Sequence, residues 1–479
     1  MKKVSLLMLP LIIASLAGCN GGNKNDGKVV VNFWHTFGQK PEAALKNKVA
    51  EFTKIIKEKE GVDVEVVLSY QGGYKDMPSK VTTGIATGES PTIAIAYADH
   101  VADYLALEGS DVGKYVVNFD KFLKDSAVTF GTEPALGDNN PESDMVKSYM
   151  DEGRSLQREG TYLIPLMKST EIMTYNLTAA KKAMSYAYPD VPVDRVQEFM
   201  KTITWDQLLN IARAAVEHKS EISSALEYPI YYDSDSNLFI TELYQNKIGY
   251  SSIGNDGKGN IDFEESANLT KAKEIVSALK QAHDDGLLTT QGVEGTYASN
   301  SFKEVKTLFS IGSTGGTGYT IPENNKIFEV GFAKVPTMGE QVAYISQGPS
   351  VCMLNNPSLK KDENDAALKY GWKLIKYLTS KQVNVSLCVT GSEGYSPVRN
   401  SCYTTETYSD FIEYGEGYAE AALVTQNDIA GRYYNSAVFP GSATLRKEVG
   451  SLVTNVLNGK SALDDAFATA INNAKKDIK

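Results

Sequence analysis

The chain is short of the residues from which metal centres, disulfide frameworks and nucleophilic sites are built. Its 479 residues include four cysteines, four histidines and three tryptophans. His35, His100, His218 and His283 form no HExxH pair, and no CxxC, GxSxG or GxxxxGK[ST] pattern occurs. Those gaps remove the usual zinc, serine-hydrolase and nucleotide signatures, so neither a metal nor a cofactor is expected. The 59 acidic residues leave a hydrolase with two separated carboxylates open, although no pair stands out. Basic residues are also in deficit: 48 Lys and Arg leave a net charge of −11. Without a basic stripe, phosphate backbones have nothing to bind, and no nucleic-acid partner is expected. Past the N-terminus no run of roughly eighteen apolar residues occurs, so the body should hold no membrane-spanning helix.

Setting Cys19 aside, three thiols remain, an odd number that does not suggest a disulfide framework. Cys352 lies in the apolar run Val351-Cys352-Met353-Leu354 and reads as a small core residue. Cys388 and Cys402 are close enough in sequence to pair across a short loop, and the sequence leaves open whether they do.

What is present begins at the N-terminus. Lys2 and Lys3 precede an apolar stretch over residues 4–14, followed by Leu16-Ala17-Gly18-Cys19. A charged start, a short apolar segment and small residues before a cleavage point make an export signal. The pattern resembles the bacterial lipoprotein signal. That resemblance implies removal of residues 1–18, a lipid on Cys19 as the new N-terminus, and anchoring at the outer face of the cytoplasmic membrane. Residues 19–27, with two adjacent glycines and no apolar residue after the cysteine, read as a slack tether.

The body alternates strand and helix signals. Residues 29–33 read as a strand. From Pro41, Leu45, Val49, Phe52, Ile55 and Ile56 recur at helical spacing up to Gly61, and residues 62–68 read as a second strand. Strand, helix, strand at this spacing is a βαβ unit and predicts a sheet that begins parallel. A helix over 80–87 and a buried strand over 91–97 follow. In open α/β sheets ligands sit beyond the carboxyl ends of strands, which marks the loops after Phe33, Leu68 and Tyr97. Residues 131–142 read as a surface insertion. Later helices are expected over 239–248, 269–283, 366–378, 445–457 and 462–475, and strands over 328–335 and 351–354.

Two motifs invite a function and are better read plainly. Asn255 to Glu265 imitates a calcium-binding loop, but Gly254 and Lys258 fall where oxygen ligands belong, so a turn is expected. Gly312-Ser313-Thr314-Gly315-Gly316 could cradle an anion on its backbone N–H groups, yet lacks the lysine that grips a terminal phosphate. Tyrosine outnumbers phenylalanine 27 to 16, and many tyrosines, Tyr70, Tyr74, Tyr231, Tyr232, Tyr395, Tyr433 and Tyr434 among them, fall in expected loops. An aromatic face with a polar edge suits sugar rings.

Taken in order, several short stretches are similar to one family. They include Val31-Asn32-Phe33-Trp34-His35, Pro165-Leu166-Met167-Lys168-Ser169-Thr170, Thr204-Trp205-Asp206-Gln207-Leu208, Gly331-Phe332-Ala333-Lys334-Val335-Pro336 and Gly394-Tyr395-Ser396-Pro397. The chain resembles family 1 extracellular solute-binding proteins of ABC importers, the maltose- and glycerol-3-phosphate-binding branch. The resemblance implies an α/β, two-lobed periplasmic-binding-protein type II fold. Each lobe would be a mostly parallel sheet flanked by helices, and the chain would cross the hinge three times. It places residues 28–166 plus 347–400 in one lobe and 167–346 plus 401–479 in the other. It also implies a monomeric binder rather than an enzyme, an ABC permease as partner, and a small ligand in the cleft. Carried across, the ligand contacts are Tyr74, Ser169, Ser313 or Thr314, Gly348 and Tyr395. The family's carboxylate falls at Ala98, beside Asp99. Its phosphate-gripping arginine falls near Val438, with Arg432 six residues away; Asp235, in the loop 228–237, joins the set. Loss of the bidentate arginine favours a neutral carbohydrate or polyol over glycerol 3-phosphate or a glycerophosphodiester. A surface-anchored glycan-active enzyme is the alternative from another class.

Overall fold

The computed structural model describes residues 27–322, 327–338, 341–392 and 394–478. The signal, Cys19 and the tether up to Asp26 lie outside the described residues. Four strands come first: β1 (Val29–His35), β2 (Val64–Tyr70), β3 (Ile93–Ala96) and β4 (Ile164–Pro165). Seven follow: β5 (Glu171–Asn176), β6 (Ile230–Tyr232), β7 (Ser251–Ile253), β8 (Gly259–Ile261), β9 (Leu288–Thr290), β10 (Phe309–Ser313) and β11 (Val330–Lys334). The last three are β12 (Tyr344–Ile345), β13 (Ser350–Met353) and β14 (Tyr433–Tyr434).

They build two five-stranded sheets, β2-β1-β3-β13-β4 and β11-β5-β10-β6-β9, each flanked by helices. In each sheet four strands point one way and one runs against them, β13 in the first and β5 in the second. Both reversed strands are those on which the chain arrives from the other sheet. Strands joined by a crossover helix within one body must instead run parallel. The expected mostly parallel sheets therefore form, and the exceptions mark the passages between bodies.

Local sequence accounts for most elements. The Gln39–Glu60 helix buries Leu45, Val49, Phe52 and Ile56, and it stops at Gly61, whose φ of 71° returns its N–H to Lys57 O. β3 is buried on both faces, as its run of Ile and Ala requires. Residues 255–265 hold the turn of the β7–β8 hairpin, β8 itself and a helical turn after it, and no cluster of three potential metal ligands occurs among the described residues.

Each sheet has its own apolar core, one gathered around Phe33, Ile95, Val351 and Trp372, the other around Tyr175, Phe239, Phe309 and Leu452. Cys402 and Tyr408 still pack in the first core, whereas Ala421 packs in the second. The chain thus leaves the first body later than a boundary at residue 400. Cys352, Cys388 and Cys402 are all buried and free.

Residues 131–142 run along the surface as expected, except that Leu136 and Asp138 turn inward. Asp138 is fully buried and accepts from Gly131 N at 2.9 Å and Thr132 N at 3.3 Å. Arg399, also fully buried, donates to Thr379 O at 2.5 Å and to Pro141 O at 3.1 Å, with Asp138 at 3.8 Å and Asp144 at 3.7 Å. Asp138 thus joins an internal ion cluster beneath an otherwise exposed or half-buried segment. Composition alone cannot tell buried, paired charges from solvated ones.

Candidate ligand-binding cleft

The carboxyl ends of the parallel strands in both sheets point at the junction between the bodies, and the reversed β5 begins there. That geometry brings Tyr97 and Asp99, just past β3, opposite Glu171, Asp233 and Ser313 at the ends of β5, β6 and β10. Asp99 lies in the first turn of the Ala98–Ala106 helix, where its carboxylate accepts from His100 N at 2.9 Å. The facing body supplies the Ser442–Leu457 helix, whose preceding residue Gly441 donates its N–H to Asp103 Oδ1 at 2.9 Å. A carboxylate at a helix N-terminus meets unpaired N–H groups and the positive end of the dipole.

Between these helices lies a cavity of about 110 Å³, lined by Tyr97, Asp99, Glu152, Tyr250, Tyr434 and Arg446 among others. Arg446 donates to Asn237 Oδ1. Asn237 donates onward to Glu171 Oε1 at 2.6 Å and Gln347 Oε1 at 3.2 Å, and Tyr232 OH donates to Glu171 Oε2 at 2.5 Å. Burial pushes Glu171 up to about 7, with the bonds from Tyr232 and Asn237 and the charge of Arg446 pulling the other way. Asp233 is lifted to about 7 by burial as well. Glu152 is neutralised by Lys168, 2.5 Å away, and accepts from Ser346. The hydroxyl of Tyr250 is buried without a hydrogen-bond partner among the described residues, a donor held ready for whatever enters.

The residues expected from sequence fall into three groups. Tyr74 stacks on Tyr97 with centroids 4.7 Å apart, and Tyr395 packs on Gly315, where a Cβ would lie 2.6 Å from the tyrosine ring. Both pack against the core of the first body, while Tyr97, on which Tyr74 stacks, lines the cavity with Asp99. Ser169, Ser313, Thr314 and Gly348 gather at the passages: Ser313 Oγ donates to Ser169 Oγ at 3.3 Å, and Thr314 N donates to Thr170 O at 2.8 Å. Asp235 and Arg432 lie elsewhere. Asp235 is buried in the second body, accepting from Thr290 Oγ1 at 2.6 Å, Gly292 N at 2.8 Å and Thr454 Oγ1 at 2.9 Å. Arg432 is exposed and donates to Asp428 O. The arginine that lines the cavity is Arg446, which sequence reasoning passed over as an ordinary polar position of a helix. Asn237, Glu171 and Tyr250 are not singled out by the sequence either, although Tyr97 ends a strand whose following loop is marked by topology and polar residues surround Asn237.

A family model described as bacterial extracellular solute-binding protein matches residues 49–415. No curated protein matches the chain. Among solved structures, the GacH receptor of Streptomyces glaucescens, solved unliganded and with acarbose, is 17% identical at a TM-score of 0.66, covering 93% of this chain and 97% of its own. MalE from Bdellovibrio bacteriovorus, bound to maltotriose, is 16% identical at 0.65, covering 94% and 99%. UgpB from Mycobacterium tuberculosis, with glycerophosphocholine, is 15% identical at 0.65, covering 93% and 97%. Among the described residues no helix is long and apolar enough to cross a membrane. Two α/β bodies facing each other over a polar cleft, the structural likenesses and a family match over most of the chain agree: this chain belongs to the bacterial extracellular solute-binding proteins.

Proposed function

We propose that the protein is the substrate-binding lipoprotein of an ABC importer, capturing a carbohydrate between its two bodies and delivering it to a membrane permease. The observation that carries this reading is the make-up of the cleft: Tyr97, Tyr250 and Tyr434 line its walls, Glu152 is paired with Lys168, and the Arg446 guanidinium shares the cavity with the Asp99 carboxylate. A cleft walled by tyrosines, with charges of both signs and many fixed donors and acceptors, suits a neutral ligand rimmed by hydroxyls. The acarbose and maltotriose of two structural neighbours support the same class. At about 110 Å³ the cavity is smaller than the roughly 300 Å³ at which small-molecule sites begin, so the bodies part to admit an oligosaccharide. The passages at residues 166–170, 345–349 and after Tyr408 serve as the hinge, and closure presents the shape a permease recognises.

The protein acts as a monomer without catalysis, held by a lipid on Cys19 at the outer face of the cytoplasmic membrane, with residues 20–27 as slack. Tyr74, Asp99, Ser169, Ser313, Thr314, Gly348 and Tyr395 are its proposed ligand contacts.

A second reading, glycerol 3-phosphate or a glycerophosphodiester, draws on Arg446, which supplies the guanidinium that Arg432 does not bring. Isothermal titration against maltose, maltotriose, mannobiose, tagatose, glycerol 3-phosphate and glycerophosphocholine separates the two. Tight binding of a phosphate compound with no sugar response sinks the neutral-ligand reading.

A further inference from the structure

Arg446 is the point on which three parts of the molecule converge. It belongs to the first turns of the Ser442–Leu457 helix, lines the cavity and donates to Asn237 Oδ1. Asn237 spends its own amide hydrogens on Glu171 Oε1 and Gln347 Oε1. Glu171 is the first residue of β5, immediately past the first passage between the bodies. Gln347 sits in the second passage, exchanging backbone hydrogen bonds of 2.8 and 3.0 Å with Ser169. One amide side chain therefore ties a cleft guanidinium to two of the three places where the chain changes body.

Across the cleft stands Asp99 of the first body, on the helix that touches the Ser442–Leu457 helix through Asp103 and Gly441. A guanidinium carries five N–H donors in a rigid fork, and a carboxylate only acceptors. Asn237 occupies one side of that fork, and the cavity lies between its remaining donors and the Asp99 oxygens. A hydroxyl both donates and accepts, so two adjacent hydroxyls on one ligand can satisfy the arginine and the aspartate together.

We propose that Arg446 is the specificity-determining residue of the second body, reading a vicinal hydroxyl pair jointly with Asp99, and that Asn237 is its positioning residue, coupling that contact to the hinge. This rests on the carbohydrate reading above. A ligand engaged by Arg446 favours the arrangement in which Asn237 holds Glu171 and Gln347 together, so occupancy and closure become one event.

The test is a titration of the best-bound sugar of the panel against wild type, Arg446→Gln, Arg446→Lys, Asn237→Leu and the double variant Arg446→Gln/Asn237→Leu, with melting curves to confirm folding. Arg446→Gln should weaken binding by about 10- to 100-fold. Arg446→Lys, which keeps charge but not the fork, should recover only part. Asn237→Leu should lose about 10-fold, and the double variant should bind no worse than Arg446→Gln, because Asn237 acts through the arginine. Unchanged sugar affinity in Arg446→Gln, or losses that simply add, overturns the assignment. If wild type binds only the phosphate compounds, the carbohydrate reading and the hydroxyl-pair assignment both fall. If wild type answers nothing in the panel, the carbohydrate reading and the assignment again fall together, whereas sugar binding that survives Arg446→Gln unchanged overturns the assignment alone.

Discussion

Gly348 and Ser169 meet more closely than a side chain would permit: a Cβ on Gly348 would lie 2.7 Å from the Ser169 backbone nitrogen, and Gly348 holds a φ of +105°. Two passages of the chain between the bodies are therefore in backbone contact, with only glycine able to close the pair. Gly348→Ala imposes both a clash and a disfavoured dihedral, and should destabilise the fold by about 1–3 kcal/mol. Urea denaturation checks this; an unchanged midpoint would show that the passage relaxes freely.

Asp99→Ala removes the acceptor on the first-body side of the cleft. Sugar affinity should fall by about 1.5–3 kcal/mol, the worth of one charge-assisted hydrogen bond. Titration calorimetry measures it, and full retention of affinity would take Asp99 out of the site.

The buried acids should make stability decline from mildly acidic toward alkaline pH, opposed below pH 6.5 by His35 and His100, whose protonation burial disfavours. Burial raises Glu242 from 4.5 to about 8, against a smaller downward pull from Trp205, and raises Glu171 to about 7. Between the ordinary carboxylate range and those values the folded chain holds protons that the unfolded chain has released. Stability therefore falls as pH rises through this window, by up to about 1.4 kcal/mol per pH unit for each such acid. Glu242→Gln, permanently neutral, should flatten the melting temperature against pH. A variant tracking wild type across pH 5–9 (about the window named) would contradict it.

Arg399→Ala should cripple the first body. It would leave Asp138 buried with its arginine gone and strip the donors from Thr379 O and Pro141 O. Breaking a buried ion pair from one side costs about 3–5 kcal/mol. Chemical denaturation would show it. Arg399→Met, which fills the space but pairs nothing, should fare little better while Asp138 remains.

Cys19→Ala should leave ligand affinity intact and move the protein from the membrane fraction to the soluble one. Fractionation of cells making the variant reads this out; membrane retention equal to wild type would remove the lipid anchor from the proposal.

Much of this protein is written in its local sequence. The 3.6-residue spacing of Leu45, Val49, Phe52 and Ile56, the stop at Gly61 and the apolar run at β3 each report whether one element buries its own face. Such patterns, with the order of the family's stretches, carry as far as two α/β bodies and the position of Asp99 just past β3. They end where function depends on partners distant in the chain. Arg446 follows Leu445 in an amphipathic helix and looks like any solvated cation until the Ala98–Ala106 helix is laid across its N-terminus. Arg432, nearer the expected position, turns outward, and Asp235 spends its oxygens inside its own body. Periodicity records burial against the nearest neighbours; which polar residues face each other over a cleft is decided by how two separately folded bodies meet. Only the tertiary structure brings Asp99, Arg446, Asn237 and the two passages into one connected site.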